Sequence, residues 1–259
     1  MTRVGAGPTA LPVSHAEHCM GTVFSFRVAA PGVDAASLRA VLDWLHAMDA
    51  MFSTYRADSE ISRINAGTLT LTDASPEVHD VLAACAYFRT DTDGYFDCRP
   101  DGWTLDPSGY VKGWAVQHAA DMLTAAGSLN HCVNGGGDVT CVGQPSPERG
   151  WIIGITDPLE RGRLLTAVTG GGPLAVATSG LAERGAHILD PHTGAAVTHV
   201  ASATVVAADL ITADVYATAV AAMAPTAAAR WLEARPTVRA LLVERSGRRR
   251  SFGNWRARP

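Results

Sequence analysis

Between residues 139 and 207 the chain carries five short β-branched or apolar runs, at 139–142, 151–155, 164–168, 174–177 and 203–207, parted by Gly, Pro and Asp. Runs of that length bounded by turn residues read as strands. Strands that follow one another without a helix after each do not build a doubly wound parallel sheet, so the pattern predicts an α+β fold.

The flanking segments supply the helices. Residues 22–28 alternate polar and apolar side chains and read as a half-buried strand. Asp34 then caps a helix whose Leu38, Val41, Leu42, Leu45 and Met48 form one apolar face. Ser75-Pro76-Glu77 opens a second helix, with proline in its first turn. Lys112 opens a third, which runs to Ala126 before Gly127 stops it. Beyond the strands, 211–223 reads as an Ala-rich helix, 225–234 as another, and 238–244 as a last strand. With 259 residues, 47% of them apolar, the chain has material for one large domain or two fused lobes. Residues 1–18, rich in Pro, Gly and His, are expected to form a flexible leader, and 19–245 the folded domain. Residues 246–259 read as a solvated basic tail, continuing from Arg245 through Arg248-Arg249-Arg250.

Charge and cysteine usage narrow the function classes. A net charge of −4 offers no basic surface to nucleic acid or an acidic membrane. The five cysteines, Cys19, Cys85, Cys98, Cys132 and Cys141, form no Cys-x-x-Cys pair, which argues against a disulfide framework or a zinc site. No apolar stretch is long enough to span a bilayer, and the first residues have no signal-peptide core. Cys19 follows Glu-His and is not a lipobox cysteine. A reduced cytoplasmic setting is the expectation.

Lys112 is the only lysine, against twenty arginines. A lysine is a compact charge on a thin stem and enters spaces that a planar guanidinium does not. A surface lysine left by chance is the competing account. Asp214 and Thr218, four apart on the Ala-rich helix, share one face and offer a carboxylate and a hydroxyl to a single cation. They also fit a polar stripe on an exposed helix. The flanking Ala, Val, Ile and Met instead predict a buried helix, where an unpaired Asp is costly. His187 precedes the turn Asp190-Pro-His-Thr193-Gly194; it is a candidate base once a nucleophile that needs deprotonation is identified. Asn134-Gly-Gly-Gly-Asp138 suits either backbone N–H groups turned toward an anion or a tight turn. Rossmann and P-loop fingerprints are absent, and Ala177-Thr-Ser-Gly180 is not a Gly-x-Ser-x-Gly elbow.

Eight motifs then occur in order. The first four are Met20-Gly-Thr22, Phe52-Ser-Thr-Tyr55 with Asp58-Ser-Glu-Ile-Ser-Arg-Ile-Asn65, Gly94-Tyr-Phe-Asp97, and Asp106-Pro-Ser-Gly-Tyr-Val-Lys-Gly113. The others are Val133-Asn-Gly-Gly-Gly-Asp138, Ala177-Thr-Ser-Gly180, His187-Ile-Leu-Asp-Pro-His-Thr-Gly194 and Ala213-Asp-Val-Tyr-Ala-Thr218. From Met20 to Met223 the chain thereby resembles the ApbE-type FAD:protein FMN transferases. The resemblance implies an α+β, two-lobed, T-fold-like domain with FAD in the cleft between the lobes. It implies a magnesium-dependent enzyme that splits FAD at its pyrophosphate, passes FMN to a Thr or Ser hydroxyl of another protein and releases AMP.

By the same resemblance, Asp214 and Thr218 are side-chain ligands of magnesium, joined by the Gly109 carbonyl. Met20, Tyr55, Tyr95, Phe96, Asp97, Asp106, Lys112 and Leu189 fall at FAD, and His187 is the base for the acceptor hydroxyl. The implied partner is a protein bearing an Asp-x-x-Thr/Ser-Gly-Ala-Thr/Ser motif. Asp190-Pro-His-Thr-Gly-Ala-Ala196 matches that motif except at Ala196 and reads as the family's own turn. Eight residues part Asp97 from Asp106, fewer than in many relatives, so the cleft wall there is expected to be truncated.

Three alternatives stay open: manganese in place of magnesium, hydrolysis of FAD to FMN and AMP, and a flavin-binding protein without catalysis. A bulky Tyr55 ring over the cleft would exclude water and favour transfer over hydrolysis. A binding protein could dispense with Asp214, Thr218 and His187, yet all are present.

Overall fold

The computed structural model describes residues 11–160, 162–180 and 189–255, and in them every neighbouring pair of strands runs antiparallel. The described chain begins with the hairpin of β1 (Leu11–Cys19) and β2 (Thr22–Val33). It continues through α1 (Ala35–Phe52), the short α2 (Glu60–Asn65), α3 (Pro76–Asp91) and α4 (Ser108–Ala125). Six strands follow: β3 (His131–Gly135), β4 (Asp138–Val142), β5 (Trp151–Thr156), β6 (Leu164–Gly170), β7 (Leu174–Gly180) and β8 (Val200–Ala207). Then come α5 (Leu210–Ala222), α6 (Pro225–Glu233), β9 (Arg239–Glu244) and β10 (Arg249–Phe252). Eight strands make one sheet in the order β1-β2-β3-β4-β7-β8-β9-β10, while β5 and β6 pair as a separate ribbon. This is the α+β arrangement that the spacing of the short runs predicts.

Strand β8 is buried along seven of its eight residues, so the sheet is covered on both faces. On one face Phe24, Phe26, Val133, Ala177, Val205 and Leu242 cluster with Leu45, Val116, Leu123 and Val215 of the helices. On the other, Val139, Cys141, Val176 and Val206 meet Trp151, Ile155 and Val168 of the ribbon. A fully enclosed side chain such as Leu45 contributes about 2 kcal/mol. Packing of this kind fixes the helices against the strands that carry the candidate site. Among the described residues no helix is long and apolar enough to cross a membrane.

Three expectations are corrected. The flexible leader through residue 18 gives way to β1 from Leu11 onward, paired with β2 from Val13↔Val28 to Cys19↔Thr22. Val13, His15, Glu17 and Cys19 point inward while Ser14, Ala16 and His18 are exposed. Polar inward residues disguise this alternation: the Glu17 carboxylate lies 3.0 Å from His15 Nε2 and 2.9 Å from His46 Nε2. The solvated tail beginning at 246 instead adds β10 to the sheet. There Phe252 is buried, Arg249 reaches the buried Asp157 carboxylate at 3.3 Å, and Arg250 donates to the Pro225 carbonyl at 3.1 Å. Long arginine stems can lie along a protein surface while their heads find partners, so charge alone misjudges such a segment. Finally, α4 begins four residues before Lys112, with Asp106 Oδ1 accepting the Ser108 amide at 3.0 Å. Gly127, at φ +92, follows its end as expected.

Candidate active site

Helix α5 decides where the site lies. Asp209 caps it, accepting from the Thr212 amide at 2.8 Å and the Thr212 hydroxyl at 2.9 Å. Nine of its thirteen residues are buried, and it packs against α4, β7 and β8. Its alanines bring the neighbouring backbones close, and Gly113 of α4 leaves room for the Asp214 side chain.

Asp214 is 1% exposed. Lys112 Nζ lies 3.6 Å from its Oδ1 and makes a closer ion pair with Asp138 Oδ2. Asp138 opens β4 after the Gly136-Gly137 turn, where both glycines have positive φ, +61 and +97. Its Oδ1 accepts the Thr178 amide of β7 at 3.0 Å. The next residue of β7, Ser179, pairs its hydroxyl with that of Thr218 at 3.0 Å. Thr218 sits one turn beyond Asp214, so neighbouring residues of one strand hold Asp138 and Thr218.

Two buried carboxylates and one ammonium leave this cluster with one negative charge in excess. Burial and the neighbouring Asp138 charge push the Asp214 carboxyl up to about 7, against the pull of Lys112. Asp214 Oδ2 is buried with no hydrogen-bond partner among the described residues. A bare carboxylate oxygen inside a protein is costly unless a cation or a proton meets it. A hard divalent cation fits this donor set, a carboxylate and a hydroxyl one turn apart, with carbonyl, water and phosphate oxygens completing the shell. Among the described residues no group of three or more His, Cys, Asp or Glu gathers.

The residues singled out by the sequence do not all meet in one place. Asp214, Thr218 and Lys112 come together as described. Gly109 lies in the first turn of α4 beneath Phe96, whose ring is 3.4 Å from where a glycine Cβ would stand. Tyr95 meets His192 edge-on with ring centroids 4.5 Å apart, which brings the 190–194 turn to the loop after α3. Leu189 pairs with Ala196 across that turn. Met20 borders a cleft of about 620 Å³, together with Thr22, Asp49, Asn134 and Gly137. With φ +52 beside Gly21 at +67, Met20 occupies the left-handed region that a two-residue hairpin demands and a long side chain resists.

Asp97 and Asp106 are engaged locally: Asp97 pairs with Arg89 at 2.7 Å, and Asp106 holds the start of α4. The Tyr55 ring does not cover a cleft, contrary to the expectation, and is 97% exposed. Ser53 Oγ accepts the Tyr55 and Arg56 amides at 3.2 and 3.3 Å, turning the chain just after α1. His187 lies outside the described residues. Sequence reasoning gave no role to Asp138 or Ser179, although both stand inside motifs it quoted. The signal available was an aspartate closing a glycine turn in a chain with a single lysine to pair it.

The ApbE family model matches residues 20–101 and 98–242. A relative from Vibrio cholerae named FAD:protein FMN transferase is 28% identical, over 72% of this chain and 74% of its own length. Another of that name, from Haemophilus influenzae, is 27% identical over 72% of this chain and 73% of its own length. The crystal structure of the ApbE protein from Thermotoga maritima is similar with a TM-score of 0.84 at 23% identity, covering 94% of this chain and 97% of that one. Flavin transferase ApbE from Vibrio cholerae gives 0.80 at 24% identity with the same coverage. At such identity the two structures speak for the fold.

Proposed function

The chain belongs to the ApbE family, and we propose that it is an enzyme moving the FMN half of FAD onto a Thr or Ser hydroxyl of another protein. Flavin transfer is the activity for which its relatives are named. The observation that carries the reading is the pairing of Lys112 with the buried Asp138 and Asp214, with Thr218 one turn away. Asp214, Thr218 and the Gly109 carbonyl hold magnesium, with manganese the alternative. That ion, when bound, neutralises the pyrophosphate and favours attack by an oxygen nucleophile.

The chain's own groups do the rest. Lys112 presents a point charge toward the phosphates, fixed before substrate arrives. His187 takes the proton of the acceptor hydroxyl as its oxygen attacks the FMN phosphorus. The new P–O ester forms as the pyrophosphate bond breaks, and AMP leaves. Met20, Tyr95, Phe96, Asp97, Asp106 and Leu189 line the FAD cleft between the lobes in this reading. The acceptor carries an Asp-x-x-Thr/Ser-Gly-Ala-Thr/Ser-like segment.

Hydrolysis of FAD to FMN and AMP is the second reading, favoured by the exposure of Tyr55, whose ring does not itself shut water out. Mass spectrometry separates the two. The chain is mixed with FAD, magnesium and a peptide bearing the acceptor segment. A peptide mass gain equal to an FMN ester supports transfer. Free FMN and AMP with unmodified peptide support hydrolysis instead.

A further inference from the structure

We propose that Asp138 is a positioning residue: it holds the Lys112 ammonium away from Asp214 and so keeps Asp214 open to a divalent cation. This deepens the metal reading given above and rests on it.

The two oxygens of Asp138 have separate tasks. Oδ1 is tied to the Thr178 amide at 3.0 Å, which fixes the orientation of a carboxylate that is 1% exposed. Oδ2 is thereby aimed at Lys112, whose ammonium sits nearer to it than to Asp214 Oδ1, at 3.6 Å. Neither this Oδ2 nor Asp214 Oδ2 has a hydrogen-bond partner among the described residues, but Lys112 meets Asp138 Oδ2 as an ion pair. With Lys112 committed to Asp138, the excess negative charge of the cluster rests on Asp214, where Thr218 is also at hand.

A lysine stem is flexible and carries its charge as a point. Remove the charge of Asp138, and Asp214 becomes the nearest buried carboxylate to the ammonium among the described residues. The lysine then competes with any cation for that carboxylate. Strand β7 guards against this through adjacent residues, Thr178 fixing Asp138 while Ser179 fixes Thr218.

The test is a Mn²⁺ titration of the flavin-free protein, followed by loss of the free-ion electron paramagnetic resonance signal. Wild type is compared with Asp138→Asn and with Asp138→Asn/Lys112→Met. Asparagine keeps an oxygen for the Thr178 amide and removes only the charge. The single variant is expected to bind Mn²⁺ about tenfold more weakly, because a partly buried ammonium beside Asp214 opposes the incoming ion. The double variant is expected to return to within about threefold of wild type, since no ammonium remains to compete. A variant that had merely lost structure would not be rescued by removing Lys112. Wild-type binding by the single variant overturns the proposal. A double variant as weak as the single one does so too, making Asp138 a direct ligand or a purely structural group. A wild type that takes up no Mn²⁺ would instead defeat the metal reading underneath.

Discussion

Gly113 on α4 stands so near Asp214 on α5 that a Cβ on the glycine would come 2.7 Å from the aspartate's own Cβ. The missing side chain sets how closely α5 approaches α4, one residue beyond Lys112. Gly113→Ala therefore sets two effects against each other. Alanine gains up to about 1 kcal/mol over glycine inside a helix, while overpacking a filled interior costs about 1–3 kcal/mol. The clash is with a Cβ rather than a flexible tip, so overpacking wins. Calorimetry should show a melting temperature lower by about 3–6 °C, with flavin transfer falling as α5 shifts.

Asp214→Asn removes the charge that a cation would meet while keeping the shape. Metal-dependent turnover should fall at least about a hundredfold, the scale of losing a group that stabilises charge in the transition state. The metal-free protein should melt no lower than wild type, because a costly buried carboxyl is gone. Turnover and melting measured on the same sample check both, and unimpaired turnover would remove the metal assignment.

Ser179→Ala tests the support behind Thr218. The hydroxyl pair at 3.0 Å is lost, and groups that orient a ligand from behind typically matter about 10–100-fold in metal affinity. The magnesium concentration for half-maximal transfer should rise about tenfold, whereas unfolding should change by about 1 kcal/mol or less.

Much of this was legible in the sequence. Asp34 caps α1 as its position before the apolar face predicts, accepting the Ser37 amide at 2.7 Å. The apolar neighbours of Asp214 predict a buried helix, and α5 is one. Strands whose inward positions are apolar, such as those near 174 and 203, also declared themselves. β1 did not, because His15 and Glu17 occupy inward positions and satisfy each other there. The partnership of Lys112 with Asp138 was also hidden, since it joins residues of a helix and a strand that only the folded sheet brings together. Tyr55 shows the reverse failure: its motif predicts a covering ring, while the turn at Ser53 leaves it in solvent.

His131 gives a pH dependence remote from the candidate metal ligands. It is fully buried on β3, with Nδ1 3.0 Å from Ser128 Oγ and Nε2 without a hydrogen-bond partner among the described residues. Burial holds its ring below the ordinary 6.5, so the folded chain keeps it neutral. As pH falls past that value the unfolded chain takes a proton that the folded chain refuses, and stability is lost on the acid side. Melting curves between about pH 7 and 5 should therefore slope less steeply in His131→Gln than in wild type.

The most direct measurement is anomalous scattering from a crystal soaked with Mn²⁺ and FAD. A peak bonded to Asp214 and Thr218, with the flavin pyrophosphate against it, is the predicted result. A peak elsewhere, or a flavin bound away from α5 with no ion at these oxygens, would contradict the account.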